Sequence, residues 1–534
     1  MNAAYFGHKQ VYPSLIDDLL ATTPEIISVD IETVSLEDRT IVGIGIGLSP
    51  TEAIYFPLGS KYMSEVLAWL NNNKIIKIMH NALFDTQELD NAGLMLIDTP
   101  VIDTLVMAQL AGYSLRLTEL SAECGTESQD MKTILGEQGT KVTTDLSFDV
   151  LARKCCIDAE ATIHCYHHLR QLVDMDYVRD EMELIPIIVR MQRIGLKVDH
   201  MAVQRVYEDL GKEVSGYKEQ CRIIGFNPGS SKQVGYILAK HGITQVINSR
   251  KAKYQTDKKI LSKINHPLAK MVLAYRAVSK LQSTYIKPLL GVDRAYTHFS
   301  FETTTRRLAS AKINLQNIPK KLRYMFVPDR DCWTRFDFSQ QELRVLAYVS
   351  GDRRMQEVFD SGNDIHLATA SFMYGVPMDQ VTEELRYRGK TANFSTIYGS
   401  SDPTLAALRK RWYETFPQAA SWIHDIQQFA LAHMKVPTVD GAWLYIRPEI
   451  TSIEKLDDMG IMRKAVDYVC QGTGAEITKK GMRRCKKLPM ILQIHDELMI
   501  ADDWVNEIEK LDLAHVGPFE TPIDIKLVRR WGVD

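Results

Sequence analysis

Three polar residues inside an apolar, strand-like run constrain the fold of this chain most strongly. The run is LQIHDELMI, residues 492–500, and its centre is His495, Asp496 and Glu497. The apolar residues on both sides predict two short strands joined by a tight turn, with the acids at or near its tip. Two adjacent carboxylates repel each other, and their burial is costly unless a cation compensates. A solvated acidic hairpin tip is the simpler alternative, whereas a divalent-metal site requires carboxylates from elsewhere in the chain.

A chain of 534 residues is too long for one hydrophobic core and predicts about three or four domains or subdomains. The net charge of -3 does not indicate a nucleic-acid partner, but its distribution does. The segment from Arg250 to Lys287 contains ten Lys/Arg and one acid, and the segment from Phe301 to Arg330 contains seven Lys/Arg and two acids. Such stretches are either solvated faces or polyanion-binding surfaces.

The eight cysteines show no zinc-binding spacing, which indicates reduced thiols in a cytosolic-type compartment. No stretch of about 20 apolar residues predicts a membrane helix. We therefore expect no membrane partner.

The first third of the chain contains a second set of acids. Residues 25–57 form three β-rich runs and predict an antiparallel meander. Asp30 and Glu32 lie two residues apart on the first run, so both side chains project from one face. Further along, Asp85 lies in HNALFDTQEL and Asp158 in a helical pattern. Each acid alone fits a surface residue, but two acids on one face of a central strand indicate metal binding.

The order D-x-E, N-x-x-F-D and a helical Asp resembles the 3′–5′ exonuclease domains of the DEDD class. The resemblance implies a ribonuclease-H-like fold in which up to two Mg²⁺ or Mn²⁺ ions are held by a set of four acids: Asp30, Glu32, Asp85 and Asp158. Asn81 belongs to the same motif. Domains of this kind place Tyr four residues before the last Asp, where this chain has Lys154. A lysine is a cation near the metals and cannot orient the attacking water as a phenol would. We therefore expect measurable but weakened exonuclease activity. The alternative is that another side chain has taken over the role of the tyrosine and that Lys154 is a solvated bystander.

We expect the second carboxylate for the hairpin acids to be Asp337, which lies at the end of the strand-like TRFDF next to a basic stretch. A stripe recurs every four residues between 385 and 399 and consists of Arg386, Lys390, Phe394 and Tyr398. At 100° per residue the drift is only about 40° per step, so the four side chains share one helix face. Two cations followed by two aromatic rings fit a triphosphate, then a sugar and a base. Coincidental helix patterning is the alternative for the stripe alone.

The segments DFSQQELR, R-x3-K-x3-F-x3-YG and HDE, in this order, resemble motifs A, B and C of family A DNA polymerases. Residues 303–319 are similar to the family's T-x-x-R-L…NLQNIP segment and 364–370 to its DIH helix. Residues 266–285 resemble its thumb helix and 181–199 its palm entry. The resemblance runs from about residue 25 to the C-terminus, and several motifs in the correct order make it specific.

The resemblance implies a multidomain chain of α/β and α+β class. A ribonuclease-H-like exonuclease domain (1–175) would precede a right-hand polymerase domain (176–534). Within the latter we expect three subdomains: the palm at 176–200, 296–348 and 440–534, the thumb at 201–295 and the fingers at 349–439.

The implied reaction is template-directed DNA synthesis from dNTPs onto a primer 3′-OH. Asp337 and Asp496 would hold two Mg²⁺, one lowering the pKa of the 3′-OH and one binding the triphosphate. His495 and Glu497 would lie beside the primer end.

The resemblance also implies the substrate contacts. Arg386, Lys390 and His366 would hold the phosphates, with Lys390 placed to protonate pyrophosphate. Glu342 matches the steric gate against a ribose 2′-OH, and Phe394 implies discrimination against dideoxynucleotides. Gln340 would also contact the dNTP. Template and minor-groove contacts, which check pair geometry rather than sequence, would come from Tyr398, Arg307, Gln316, Asn317, Arg463 and Gln471.

Three further positions depart from the family pattern. Arg306 replaces a common Gly, and Asp467 replaces a common Asn. A pairing of Arg306 with Asp467 is one hypothesis. Gly389 stands where Ala is usual, which would cost about 1 kcal/mol of helix stability and loosen the helix.

Three alternatives remain to be weighed. A single-subunit RNA polymerase shares similar A, B and C motifs, but Glu342 and the attached exonuclease argue against it. A nuclease whose second half only binds DNA would not need Asp337, Asp496, Lys390 and Arg386. A non-enzymatic scaffold would not need carboxylates in both halves, and primer extension with Mg²⁺ distinguishes it.

The short segment between Asp158 and Asp337 predicts a thumb without a thioredoxin-type processivity insertion. The exonuclease acids begin at residue 30, so we expect no 5′-nuclease domain. Together with the lack of a transit peptide, this predicts a monomeric phage enzyme that replicates the phage genome in the host cytoplasm.

Overall fold

A computed structural model of the chain describes residues 5–6, 9–10, 13–248, 253–400, 402–446 and 457–532. Within these residues no helix is long and apolar enough to cross a membrane. Arg250, at the start of the first basic stretch, lies outside the described part.

The N-terminal unit is a seven-stranded sheet with helices packed on it. Its strands are β1 (Tyr5–Phe6), β2 (Lys9–Gln10), β3 (Ile26–Thr33), β4 (Ile41–Ser49), β5 (Glu52–Pro57), β6 (Ile76–Met79) and β7 (Val101–Asp103). Its helices are α1 (Pro13–Leu20), α2 (Met63–Leu70), α3 (Ala82–Asn91), α4 (Thr104–Ala111), α5 (Leu117–Cys124), α6 (Met131–Glu137) and α7 (Phe148–Leu169). The strand order is β2-β1-β5-β4-β3-β6-β7. The predicted meander is confirmed, since β3, β4 and β5 pair antiparallel, and β6 adds parallel to β3.

Glycines in β4 let the helix α7 approach this sheet closely. A Cβ atom built on Gly45 would lie 2.9 Å from the Cys155 carbonyl oxygen, and one on Gly47 would lie 2.9 Å from that of Ala159. Any larger residue would therefore push α7 away from the sheet. Because α7 also carries Lys154 and Asp158, this close approach brings their side chains to the acids of β3.

The middle of the chain is mostly helical and has a separate small core. It contains α8 (Met175–Met182), α9 (Leu184–Ile194), β8 (Leu196–Val198), α10 (His200–Ile224), α11 (Ser231–Lys240), β9 (Ile247–Asn248), β10 (Lys253–Tyr254), α12 (Lys258–Leu261) and α13 (Pro267–Lys280). A π-helix, Leu281–Ile286, continues α13. The long helices α10 and α13 pack together. Phe226, Leu238 and Val272 lie in a core of their own, as expected for an independent subdomain.

The remaining residues surround a four-stranded antiparallel sheet. The strands of this part of the chain, inside and outside that sheet, are β11 (Arg294–Ala295), β12 (Thr297–Ser300), β13 (Ala309–Lys312), β14 (Phe326–Val327), β15 (Trp333–Phe338), β16 (Lys435–Pro437), β17 (Trp443–Tyr445), β18 (Met490–Ile494), β19 (Glu497–Ala501) and β20 (Ile523–Val528). The helices are α14 (Gln341–Ser350), α15 (Arg353–Asp360), α16 (Ile365–Tyr374), α17 (Glu383–Ile397), α18 (Ala406–Thr415), α19 (Pro417–His433), α20 (Asp458–Arg484) and α21 (Val505–Glu509). The central sheet has the order β18-β19-β15-β20.

The predicted hairpin at 492–500 is confirmed. Ile494 pairs with Glu497, so His495 and Asp496 form the turn between β18 and β19. His495 has a left-handed backbone (φ 56°), which permits so tight a turn. All of β18 and most of β19 are buried, so the acids lie at the end of a rigid hairpin.

Candidate functional sites: a polymerase-type pocket and an exonuclease-type cluster

The central sheet brings the hairpin acids next to Asp337. Asp337 on β15 pairs with Glu497 on β19, and the Phe338 backbone N–H donates to the Asp496 carbonyl oxygen at 3.2 Å. Burial raises the pKa of Asp496 to about 6, and the charge of Asp337 adds to that rise. Burial also raises the pKa of Asp337. Burial therefore disfavours the charged form of both carboxylates, and a divalent cation bound between them would offset that cost.

Glu497 is tied to arginine rather than to Asp496. Its Oε2 lies 3.2 Å from Arg335 Nε, whereas its buried Oε1 has no hydrogen-bond partner among the residues that the structure describes. Arg335 also lies 3.7 Å from Asp337 Oδ2. A single arginine thus links Glu497 and Asp337 from below the hairpin.

A cavity of about 300 Å³ opens beside these acids. Its lining includes most of the residues predicted to contact a nucleotide, together with one of the two polymerase-type carboxylates, Asp496, and neighbouring residues: Arg307, Gln340, Gln341, Glu342, Leu343, His366, Phe394, Tyr398, His495 and Asp496. The sequence motifs, which lie as much as 189 residues apart between Arg307 and Asp496, therefore converge on one pocket.

Glu342 is held from two sides in this pocket. Arg307 donates to Oε1 at 2.5 Å, and the Tyr398 hydroxyl donates to Oε2 at 2.6 Å. The Tyr398 ring stacks on Phe394, with ring centroids 5.8 Å apart. Both carboxylate oxygens are thus fixed, so Glu342 presents a rigid wall to whatever enters the cavity.

The predicted stripe lies on α17, with Tyr398 capping its C-terminus. Arg386 pairs with Asp364 at 2.5 Å, which anchors α17 to the start of α16. Lys390 is exposed, with its Nζ 6.0 Å from the centre of the Phe394 ring. Among the described residues Lys390 makes no ion pair, so its ammonium is available to an anion.

A buried relay orients His366, and sequence reasoning missed it. The Trp412 indole N–H, which can only donate, lies 2.7 Å from Asn393 Oδ1. The Asn393 amide nitrogen must therefore face His366 Nδ1, 3.0 Å away, and donate to it. Burial lowers the pKa of His366 to about 4, so the ring is neutral at pH 7 and carries its proton on Nε2. The residues come from α16, α17 and α18, and no local pattern connects them.

Gly389 is a packing residue, and the expectation that it loosens α17 is wrong. A Cβ atom at this position would lie 2.3 Å from the His366 carbonyl oxygen and 3.0 Å from the Ala370 nitrogen. The helices α16 and α17 meet here backbone to backbone. The glycine therefore permits close packing of the two helices that carry His366 and the stripe.

The hypothesis that Arg306 pairs with Asp467 is also wrong. Arg306 is buried with its guanidinium 3.4 Å from Glu181 and 3.7 Å from Glu476, and it lies over the Tyr177 ring. Asp467 instead accepts a hydrogen bond from Gln471. The left-handed backbone of Arg306 (φ 61°) explains physically why a glycine would be favoured at this position.

The other predicted DNA-contacting residues differ in exposure. Gln316 is buried and donates to Gln493 Oε1 at 2.9 Å, so its amide already has a partner. Asn317 is exposed, and Arg463 packs against Gly399 at the end of the stripe. Arg463 thus lies next to the end of the stripe, whereas Gln316 supports the hairpin strand β18.

The second cluster lies on the N-terminal sheet and contains the predicted acids. Glu32, Asp85 and Asp158 are each about 5–6% exposed, and Lys154 is 7% exposed. Lys154 Nζ lies 2.7 Å from Asp158 Oδ2 and 3.0 Å from Glu32 Oε1. Burial alone would lower the pKa of Lys154, but the carboxylates of Asp158 and Glu32 raise it well above its usual value. The lysine is therefore a fixed internal cation.

Two side chains of this cluster were missed from the sequence. Ser128 donates to Asp158 Oδ1 at 2.8 Å, and the Cys155 thiol lies 3.4 Å from Asp30 Oδ2. Asn81 begins α3 with a left-handed backbone (φ 67°), and its side chain does not cap the helix. The backbone N–H of Asn81 donates to the carboxylate of the buried Asp103, which fixes the start of the helix that carries Asp85. Cys155 was detectable in principle, since it follows Lys154 directly.

Comparison with known protein families agrees with this geometry. Residues 200–515 match the family described as "DNA polymerase family A", and residues 10–174 match the family described as "3'-5' exonuclease". The chain belongs to DNA polymerase family A. The predicted fold class is confirmed, with an exonuclease domain followed by a family A polymerase domain.

Individual relatives support the same assignment. The chain is 36% identical to DNA polymerase I of Bacillus subtilis (strain 168) over 388 residues, which cover 65% of this chain and 44% of the relative. It is 29% identical to DNA polymerase I of Geobacillus stearothermophilus over 93% of this chain and 62% of the relative. The chain thus covers about half the length of these relatives.

A solved structure has a similar overall fold. It is described as "POL domain of Pol1 from M. smegmatis complex with DNA primer-template and dNTP". The TM-score is 0.79 at 21% identity, over 97% of this chain and 98% of the solved one. At that identity the similarity establishes the fold alone.

Proposed function

We propose that this family A member performs template-directed DNA synthesis from dNTPs, with an attached 3′–5′ exonuclease that proofreads slowly. One observation supports synthesis most directly. Asp496 lines a cavity that also contains Glu342 and the aromatic half of the α17 stripe, and Asp337 lies beside Asp496 on the strand paired with the hairpin. Neither a scaffold nor a nuclease alone requires that combination.

Asp337 and Asp496 are the residues that would hold divalent metal ions. When bound, such ions supply positive charge to activate the primer 3′-OH and to neutralise the leaving pyrophosphate. The raised pKa values of both carboxyls support a site that is complete only with added positive charge. We propose two Mg²⁺ ions here, as expected from the sequence.

The stripe and its neighbours would bind the dNTP. Lys390 would contact phosphate oxygens and give a proton to pyrophosphate. Arg386 would also contact phosphate oxygens, once its ion pair with Asp364 has rearranged. His366 would donate from Nε2 as a neutral ring, because Asn393 occupies Nδ1. Gln340 is the N-cap of α14 and has a left-handed backbone, and its buried Oε1 has no partner within the described part of the chain, which leaves this amide for the substrate.

The wall formed by Glu342 would exclude a ribose 2′-OH. Its position is fixed by Arg307 and Tyr398, so it cannot withdraw without breaking two hydrogen bonds. Phe394 carries no hydroxyl, which favours discrimination against dideoxynucleotides, and His495 and Glu497 would flank the primer end. Tyr398, Arg307, Asn317, Arg463 and Gln471 remain our candidates for contacts with template and duplex.

The N-terminal cluster would degrade mismatched 3′ ends. Asp30, Glu32, Asp85 and Asp158 supply the acids, but the Lys154 ammonium already occupies Asp158 and Glu32. A fixed cation at this place competes with metal ions for the same oxygens. We therefore propose a slow exonuclease.

We also propose the domain limits expected from the sequence: exonuclease 1–175, palm 176–200, 296–348 and 440–534, thumb 201–295 and fingers 349–439. The small separate core between residues 221 and 272 supports an independent thumb. The phage source, the monomeric state and the host-cytoplasm location stay predictions.

Primer extension tests the proposed synthesis. The full chain, a primer–template, Mg²⁺ and single dNTPs are combined, and extension should occur only with the dNTP complementary to the template. Extension with rNTPs at equal efficiency would favour an RNA polymerase instead. DNA binding without any extension would favour the nuclease or scaffold alternatives.

A further inference from the structure

The exonuclease-type cluster contains a thiol that the predicted set of four acids does not include. Asp30, Glu32 and Cys155 each offer one ligand atom, and these atoms lie within 4.8 Å of one another. Among the described residues no other group of three or more His, Cys, Asp or Glu side chains is arranged this closely. Cys155 is fully buried, Glu32 is 6% exposed and Asp30 is half-buried, so a cation bound here would be largely shielded from solvent.

The distances fit a small tetrahedral ion after a minor contraction. Zinc binds sulfur at about 2.3 Å and carboxylate oxygen at about 2.0–2.2 Å, so neighbouring ligand atoms lie about 3.4–3.6 Å apart. The Cys155 Sγ is already 3.4 Å from Asp30 Oδ2. All three ligand atoms lie within 4.8 Å of one another, so each pair has to close by roughly 1 Å at most, which side-chain rotation can supply.

The other half of the cluster is already filled. Ser128 Oγ donates to Asp158 Oδ1 at 2.8 Å, and Lys154 Nζ lies 2.7 Å from Asp158 Oδ2. Both oxygens of Asp158 therefore have partners. A divalent ion on Asp158 would have to displace the ammonium from a buried ion pair, which leaves that ammonium without compensation.

A buried carboxylate next to this thiol site lacks a partner. Asp85 is 5% exposed, and within the described part of the chain its carboxylate makes no side-chain hydrogen bond or ion pair. Burial raises the pKa of Asp85, and the negative charge of Asp30 adds to that rise. A buried acid of this kind is normally paired or bound to a metal. It is an indication, independent of the thiol, that a cation belongs beside Asp30.

We propose that this centre binds one thiophilic divalent cation, such as zinc or cadmium, through Asp30, Glu32 and Cys155, while the Lys154 ammonium replaces a second ion. Binding forms a bond between Sγ and the cation and releases the thiol proton to solvent. A thiolate selects soft cations over Mg²⁺. The inference rests on the proposed exonuclease site and departs from its expected pair of Mg²⁺ or Mn²⁺ ions.

Cadmium titration of the full chain tests the thiol ligand. Cys332 is replaced by Ser throughout, because it is the half-exposed cysteine and the other seven are buried. The sulfur-to-cadmium charge-transfer absorption should rise and saturate at one equivalent. Cys155→Ala and Cys155→Ser should both remove it, whereas Cys156→Ala, a change at the buried neighbouring cysteine, should retain it. Circular dichroism checks that each variant is folded.

Calorimetry with Mn²⁺ tests the role of the ammonium. Lys154→Met keeps a long apolar stem without the charge, so this variant should bind one more equivalent of Mn²⁺ than the parent. The polymerase-type carboxylates are common to both proteins and cancel in the difference.

The proposal is overturned if the parent shows no charge-transfer band, or if the band survives in folded Cys155→Ala. An unchanged Mn²⁺ stoichiometry in Lys154→Met would overturn the part assigned to the ammonium. The proposed exonuclease function is tested separately. If Asp30→Ala still degrades 3′ ends while the charge-transfer band depends on Cys155, the exonuclease assignment is refuted and the cation site is retained.

Discussion

Replacing Gly389 with alanine has two opposing effects on the stability of the protein. It improves the helix propensity of α17, but it places a methyl group where α16 and α17 are in close contact. Helix propensity alone predicts that Gly389→Ala stabilises α17 by about 1 kcal/mol. The new methyl group, however, would lie 2.3 Å from the His366 carbonyl oxygen, where ordinary contact begins at 3.4 Å. The helices would have to separate by roughly 1 Å, and overpacking of this kind costs about 1–3 kcal/mol. We therefore expect a net destabilisation of about 0–2 kcal/mol.

The displacement should also affect nucleotide use, because α16 carries His366 into the cavity. A shift of about 1 Å in a substrate-binding group can reduce a rate by as much as 10²-fold. We expect kcat/KM for the dNTP to fall by at least about tenfold in Gly389→Ala.

The matched control is Gly216→Ala on α10. Gly216 is also in a helix, but no atom of the described residues lies within 4 Å of its ideal Cβ. This variant should gain about the propensity difference of 1 kcal/mol and keep its kinetics. Thermal unfolding midpoints and steady-state incorporation are measured on both variants and the parent. If Gly389→Ala raises the midpoint as Gly216→Ala does, with unchanged kcat/KM, the reasoning about close packing is refuted.

Three further predictions concern the two sites. Glu342→Ala should raise ribonucleotide incorporation relative to deoxynucleotide by at least about tenfold, or about 1.4 kcal/mol, because the wall held by Arg307 and Tyr398 is removed; an unchanged ratio of catalytic efficiencies would exclude Glu342 as the gate. Lys154→Tyr should degrade a mismatched primer faster than wild type, because it frees Asp158 and Glu32 from the ammonium, while Asp30→Ala should abolish degradation; a Lys154→Tyr variant no faster than wild type would mean that the lysine does not impair the site. For the polymerase site, the proposed metal binding requires ionised Asp496, and burial raises the pKa of Asp496 to about 6, so protons compete with the metal as the pH falls. The Mg²⁺ concentration for half-maximal extension should therefore rise about fourfold when the pH is lowered from 7.5 to 5.5. A constant value would show that Asp496 does not hold the metal.

The features that could be predicted from the sequence are those written in short segments. The hairpin that carries Asp496 is defined by apolar runs around a two-residue turn, and the α17 stripe is defined by a spacing of four residues. Each signal depends on neighbours along the chain. The order of these segments then sufficed to assign the family.

The features that were missed depend on contacts between distant segments. Arg306 is buried against Glu181 and Glu476, which are more than 120 residues away on either side, so its partners could not be read from local spacing. The relay from Trp412 through Asn393 to His366 joins three helices in the same way. The role of Gly389 was misjudged because propensity considers a helix alone, whereas the neighbouring α16 decides the outcome.

A different case is the close approach of α7 to the N-terminal sheet. The alternating glycines of β4, Gly45 and Gly47, are visible in the sequence as a pattern of small residues on one strand face. Such a pattern indicates that another backbone lies against the strand. It does not identify which helix supplies that backbone, because the pattern on β4 contains no information about α7.

The most direct test of the account is primer extension by Asp337→Ala and Asp496→Ala, with primer–template affinity measured on the same preparations. The account predicts that both variants lose extension while their affinity for DNA stays close to that of wild type, because the two carboxylates hold metal ions rather than the duplex. Extension near the wild-type rate in either variant would contradict the assignment of these residues as the polymerase centre.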